Sequence, residues 1–228
     1  MTRQPIYLLS TGILSERLVK EAAEQGVVLD VMSYIAIEYM GEIAGMEKLI
    51  AQPLVAIFTS VNAVNAVRRW LRGRLDWRVY CISGATCDSV VELLGAKALA
   101  GTGETASELA EVIRREEAER GTEIVFFCGE RRRDELPSLG VVEKVVYRTA
   151  LTPHKVERDY AGIAFFSPSA VESFFSVNVI AGEIPLFAIG PTTAAAIRAR
   201  CTNPVITRGE PDKAMLIHKM TDHFLNKR

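Results

Sequence analysis

The chain has 228 residues, 49% of them apolar, and 27 basic against 28 acidic side chains leave a net charge of −1. That is enough apolar material for one large domain or two of roughly 100 residues each, and it excludes a chain too polar to bury a core. The basic residues are spread along the sequence, which excludes the concentrated patch that general nucleic-acid or membrane-surface binding requires. The four cysteines, Cys81, Cys87, Cys128 and Cys201, form no C-x-x-C pair and fit a reducing compartment. The apolar run near the N-terminus is about four residues long, too short for the core of a signal peptide. No run approaches the ~18 apolar residues of a membrane span. A soluble, cytoplasmic protein is therefore expected.

In chain order the pattern reads as alternating strands and helices. The first half gives a strand at 7–11, a helix over 15–25, an extended segment over 28–39 and a helix over 46–51. A strand at 55–60, a helix over 63–71, a strand at 77–83 and a helix over 86–94 follow. A short strand at 97–100 and a helix over 107–120 close that half. The second half gives a strand at 123–129, a helix near 132–139, an extended segment over 141–151 and a strand at 161–167. After these come a helix over 170–177, a strand at 186–190, a helix over 193–200, a strand at 204–207 and a last helix over 213–225. Strands alternating with helices predict parallel sheets flanked by helices.

Two heptapeptides, FTSVNAV at 58–64 and FFSPSAV at 165–171, place an aromatic, a polar turn and Ala-Val at the start of an apolar-periodic run, 107 positions apart. The same offset carries Thr86 onto Thr193, and Gly103-Glu104 recurs as Gly209-Glu210 after 106 positions. Three stations in register predict an internal repeat. Both chain halves also begin alike, with an apolar strand, a polar turn and a helix.

Strand-to-helix turns of this kind leave the first helical N–H groups without internal partners at the positive end of the helix dipole. Ser and Thr cap such ends well. The same groups receive carboxylates or phosphates, and in open α/β sheets ligands gather at the carboxyl ends of the strands. Thr59, Ser60, Thr86, Ser167, Ser169, Thr192 and Thr193 are therefore candidates for an anion-lined surface, with Pro168 and Gly190 in the same turns. Other chemistry is poorly supported. His154, His218 and His223 have no metal-ligand spacing. There is no G-x-S-x-G elbow, P-loop or G-x-G-x-x-G turn. No metal and no cofactor are expected. The run Glu130-Arg131-Arg132-Arg133-Asp134-Glu135 reads as a solvated helix start or as a basic site for substrate carboxylates.

Five stretches in this order resemble the uroporphyrinogen-III synthase family. They are Phe58-Thr59-Ser60-Val61-Asn62-Ala63-Val64, the run Phe127-Cys128-Gly129 onward to Leu136-Pro137, Val146-Tyr147-Arg148-Thr149, Phe166-Ser167-Pro168-Ser169-Ala170-Val171, and Ala188-Ile189-Gly190-Pro191-Thr192-Thr193-Ala194. They span residues 58–194. Ser83 stands where the family often has Gly, and Ser10-Thr11-Gly12 replaces the Thr-Arg common after its first strand.

The resemblance implies an α/β fold of two similar lobes, each a parallel sheet flanked by helices. Lobe one would comprise 1–33 and 150–228 and lobe two 40–144. They would be joined by a two-stranded linker, 34–39 and 145–149, with the two turns facing each other across a cleft that closes on ligand. It also implies a lyase that cyclises hydroxymethylbilane with loss of water and inversion of ring D, with no cofactor. By carry-over, Tyr147 is the expected general acid, and Thr86, Ser167, Thr192 and Thr193 are expected ligand contacts. The expected partner is the linear tetrapyrrole. No nucleic acid or membrane is expected, and the chain is expected to be a monomer able to meet the preceding pathway enzyme transiently. Two alternatives stay open from the residues: a non-catalytic two-lobed module for a small anion, and an enzyme acting on a phosphorylated small molecule.

Overall fold

A computed structural model describes residues 4–71, 73, 75–117, 123–131, 136, 139–180, 182–207 and 212–226. The chain divides into two compact units, Met1–Ala36 with Ala150–Arg228, and Ile37–Thr149. The expected helix near 132–139 and the repeat station Gly209-Glu210 fall almost wholly outside the described residues.

The first unit holds strands β1 (Ile6–Ser10), β2 (Val27–Val31), β9 (Gly162–Phe165), β10 (Leu186–Ala188) and β11 (Val205–Thr207), ordered β11-β10-β9-β1-β2. All its pairings are parallel. Parallel strands covered on both faces need continuous apolar runs, and β9 and β10 are buried at every position. Helices α1 (Glu16–Glu24) and α8 (Lys213–Leu225) pack one face through Ala22, Leu216, Ile217 and Met220. Helices α6 (Pro168–Phe175) and α7 (Pro191–Arg198) pack the other around Phe165, Phe174 and Ile197.

The second unit holds β4 (Leu54–Phe58), β5 (Trp77–Ile82), β6 (Leu99–Gly103), β7 (Ile124–Gly129) and most of β8 (Val142–Leu151). With β3 (Ile35–Tyr39) they make a sheet ordered β3-β8-β7-β4-β5-β6. Pairings from β8 through β6 are parallel. Met40 N–H donates to Val146 O at 3.0 Å and Thr152 N–H to Tyr34 O at 3.0 Å, so β3 runs against β8. Helices α2 (Met46–Ile50), α3 (Val61–Arg68) and α4 (Ala85–Leu94) cover one face. Helix α5 (Ala106–Glu117) covers the other through Leu109, Ala110 and Ile113.

The two sheets explain the repeat. Reading β1-β2-β9-β10-β11 against β7-β8-β4-β5-β6, the strand orders coincide, apart from the added β3. The chain therefore writes the same five-strand unit twice. Each compact unit takes the first two strands of one copy and the last three of the other. The 107-residue offset pairs β4 with β9 and β5 with β10 for this reason.

Two expectations need correction. The extended segment over 28–39 is two strands in different sheets, broken at Met32–Tyr34. There Ser33 donates its hydroxyl to Ile35 O at 2.6 Å and the Tyr34 ring is buried in the core of the first unit. Helices α6 and α7 begin two residues earlier than the pattern predicts, at Pro168 and Pro191, because proline's missing N–H costs nothing in a first turn.

Tyr34 is fully buried between Phe174 and His154, with ring centroids 5.1 and 5.7 Å away. Burial pushes its phenol up from the ordinary 10 to about 12. A raised phenol favours folding below the unfolded value and loses that contribution as pH rises through the folded one, so the window runs from pH 10 to about 12. Among the described residues the hydroxyl has no partner of full hydrogen-bond geometry, so Tyr34→Phe is expected to change stability by less than ~1 kcal/mol at neutral pH. Above pH 10 the variant should be the more stable protein. Urea unfolding across the alkaline range measures both.

Candidate active site

In the second unit, β4 hands over to α3 through Thr59 and Ser60. Ser60 is extended (φ −151°) and caps the helix, its Oγ accepting the Asn62 N–H at 3.1 Å. The neighbouring β5 hands over to α4 through Ser83 and Gly84. Gly84 has φ 75°, a left-handed value that glycine adopts without cost. Ser83 donates its hydroxyl to Gly103 O at 3.3 Å. Thr86 follows in the first turn of α4, buried to 7% exposure. On the other side of β4, β7 ends at Gly129, which pairs with Tyr147 of β8. The Tyr147 hydroxyl donates to Ser60 Oγ at 3.3 Å. Thr59, Ser60, Thr86 and Tyr147 thus share the carboxyl edge of one sheet.

In the first unit the equivalent edge carries the other predicted residues. Ser167 caps α6, its Oγ accepting the Ala170 N–H at 3.1 Å, with Pro168 and Ser169 in the first turn. Gly190 caps α7 with extended backbone and no side-chain bond, so the first amides there lack a side-chain cap. Thr192 is exposed and Thr193 buried to 3%. The third turn, Ser10-Thr11-Gly12, is committed to the fold. Ser10 Oγ donates to Gly12 O at 2.7 Å and Thr11 Oγ1 to Ala164 O at 2.9 Å, and both residues are fully buried.

The helix starts differ in charge. Helices α1, α2, α4 and α5 carry an acidic residue in the first turn, Glu16, Glu47, Asp88 and Glu108. Those carboxylates offset the positive dipole end from within. Helices α3, α6, α7 and α8 carry none, but α8 has the carboxylate of Asp212 as its cap. The three starts that hold Ser60, Ser167 and Thr193 are therefore left positive and open to an external anion.

Two features escape a reading of the sequence. Gly129 stands there only as part of a motif, yet it lies directly against the Tyr147 ring. An open cavity of about 1040 Å³ in the first unit is lined by Tyr7, Asp30, Arg158 and Tyr160 among others. There the Tyr160 hydroxyl donates to Asp30 at 2.8 Å and Arg158 stacks 4.6 Å over the Tyr7 ring. Burial, and then the bond to Asp30, pushes the Tyr160 phenol up. Tyr160 and Asp30 are 130 positions apart, and Arg158 and Tyr7 further still, which no local pattern reveals. Among the described residues no cluster of three His, Cys, Asp or Glu side chains could hold a metal ion, and no helix is long and apolar enough to cross a membrane.

A family model described as uroporphyrinogen-III synthase HemD matches residues 16–218. The chain belongs to the uroporphyrinogen-III synthase family. Among solved structures, a mutant uroporphyrinogen III synthase from the extremely thermophilic bacterium Thermus thermophilus is similar at a TM-score of 0.66 and 15% identity, over 98% of this chain and 100% of that one. The uroporphyrinogen-III synthetase of Helicobacter pylori gives 0.66 at 13% identity with the same coverage. The wild-type Thermus protein in a second crystal form gives 0.51 at 16% identity, over 97% and 99% of the two chains. At such identities these likenesses establish the fold. No curated protein sequence matches the chain.

Proposed function

We propose that this chain is a uroporphyrinogen-III synthase, a cyclising lyase of tetrapyrrole synthesis that closes hydroxymethylbilane with inversion of ring D. The observation that carries the reading is the family match over 16–218. The acid-free helix starts at Ser60, Ser167 and Gly190 support it, because the substrate bears eight carboxylates and these amides suit them without a basic surface.

The reaction begins with loss of the substrate's hydroxyl as water. Tyr147 gives its phenolic proton to that oxygen, the carbon–oxygen bond breaks, and an electrophilic azafulvenium cation remains beside the phenolate. Ring D attacks through its substituted carbon. The spiro intermediate then opens and recloses with ring D turned over. The final loss of a ring-carbon proton returns the proton spent at the start. Unassisted substrate closes without inversion, so the protein's contribution is largely geometric and electrostatic: one conformer held, charge stabilised, water kept away. Thr59, Ser60, Thr86, Ser167, Pro168, Ser169, Gly190, Thr192 and Thr193 form the proposed carboxylate contacts. Where backbone amides do the holding, loss of a single hydroxyl costs little. The four free cysteines accord with a cytoplasmic setting.

The test generates hydroxymethylbilane in situ, adds the protein, oxidises the products and separates the uroporphyrin isomers. An excess of isomer III is expected. Isomer I alone, from folded protein, would overturn the reading and leave a binding module of the same fold.

A further inference from the structure

We propose that Gly129 is a positioning residue for this reaction: by lacking a side chain it seats the hydroxyl end of Tyr147 over the end of β7, where Ser60 holds it. The inference rests on the reading of Tyr147 as proton donor.

Strands β7 and β8 slip register between Cys128 and Gly129. Cys128 faces Val145, whereas Gly129 faces Tyr147. The extra residue on β8, Val146, breaks the ladder there, and such a one-residue insertion can re-aim a side chain beside an active site. It sets Tyr147 against the only residue type that can accept its ring there. A Cβ at Gly129 would lie 2.6 Å from Tyr147 Cζ and 2.8 Å from both Cε2 and the phenol oxygen. The conflict falls on the hydroxyl-bearing end of the ring rather than on its base. Gly129 is not among the glycines with a left-handed φ, so alanine suits its backbone and only the tyrosine must move.

The opposite side of the hydroxyl is also fixed. Ser60 Oγ takes the Tyr147 proton bond at 3.3 Å while accepting the Asn62 N–H at 3.1 Å. The Asn62 amide anchors that oxygen at the α3 start. To offer its single proton to the departing hydroxyl, Tyr147 must first turn it away from Ser60; Ser60 then donates its own hydrogen to the phenol oxygen and keeps that bond to the phenolate once the proton has left. Glycine below and serine beside thus define where the proton is offered.

The experiment is a double-mutant cycle on the full chain, with kcat and KM measured for isomer III. Gly129→Ala is expected to lower kcat ~10²-fold, the cost of a misplacement near 1 Å, with KM little changed. In the Tyr147→Phe background the same change should alter kcat less than about twofold, since no proton donor is left to misplace. Tyrosine labelled with ¹³C at Cζ gives a second readout. The resonance absent from Tyr147→Phe should shift in Gly129→Ala and in Ser60→Ala, and return in Ser60→Thr. Equal kcat losses with and without the phenol, or an unmoved resonance, would overturn the proposal. Full isomer III output from Tyr147→Phe would instead overturn the proton-donor reading, and the labelled resonance would still decide whether Gly129 seats the ring. If Gly129→Ala does not fold, Ser60→Ala tests the seat from the other side: a loss in kcat is expected only when the phenol is present, whereas a lost carboxylate contact would raise KM with or without it.

Discussion

Tyr147→Phe is expected to lower isomer III formation by ~10²–10⁴-fold, the contribution of a well-placed general acid, while isomer I comes to dominate. The second half of that expectation is the more discriminating. Hydroxymethylbilane closes unaided without inversion, so a slowed enzyme is judged against a competing reaction in the same tube. The ring itself should keep its place. Tyr147 packs on the core that contains Phe58, Phe127 and Val146, and phenylalanine retains that surface. The hydroxyl gives up the 3.3 Å contact to Ser60, a modest loss for stability at ~1 kcal/mol. A melting temperature close to the parent's with a collapsed isomer ratio would identify lost chemistry. A parent-like isomer ratio would remove Tyr147 from the mechanism and leave the reaction to geometry alone.

The α/β class was legible in the sequence because parallel strands buried on both faces must be apolar throughout, and runs such as Leu54–Phe58 stand out from any helical period. The repeated turns were legible because capping chemistry is local: Ser60 and Ser167 each serve an amide within three positions. What could not be read depends on distant partners. The break after Val31 sits in a stretch without glycine or proline, where Ser33 is the one local mark and Tyr34 is buried against Phe174. At the site, Ser60 and Tyr147 are separated by 87 positions. The close approach of Gly129 to Tyr147 depends on a one-residue slip between β7 and β8 that leaves no trace in either strand's composition. The charge contrast among helix starts was present in the sequence. It carries meaning only once α3, α6 and α7 are seen to follow strands at the carboxyl edges of their sheets.

Phe127→Ala should be the most damaging single change to the fold, costing about 3–5 kcal/mol. Phe127 is fully buried near the middle of the second unit's sheet, with β7 flanked by β4 and β8. Its ring stacks on Phe58 at 5.3 Å and 15° and on Trp77 at 5.5 Å and 19°. Trp77 is itself pinned by its indole N–H, which donates to Leu49 O at 3.2 Å, so it cannot swing freely into the space left behind. Ala56 and Ala63 in the same core are too small to fill it. A cavity with fixed walls puts the cost toward the upper end of the range. Phe127→Leu refills most of the volume but loses the stacking, and about 1–1.5 kcal/mol is expected for it. Urea unfolding with an unchanged m-value separates lost stability from a changed unfolded state. The damage should also reach the chemistry. Phe127 lies two residues before Gly129 on the same strand, and the Tyr147 ring packs against the cluster it centres. The alanine variant, still folded in the cold, should therefore lose isomer III output beyond its folded fraction, whereas the leucine variant should lose little. An alanine variant within about 1 kcal/mol of the parent would mean the β4-β7 core closes over the gap, and the rigid seat proposed for Tyr147 would fall with it.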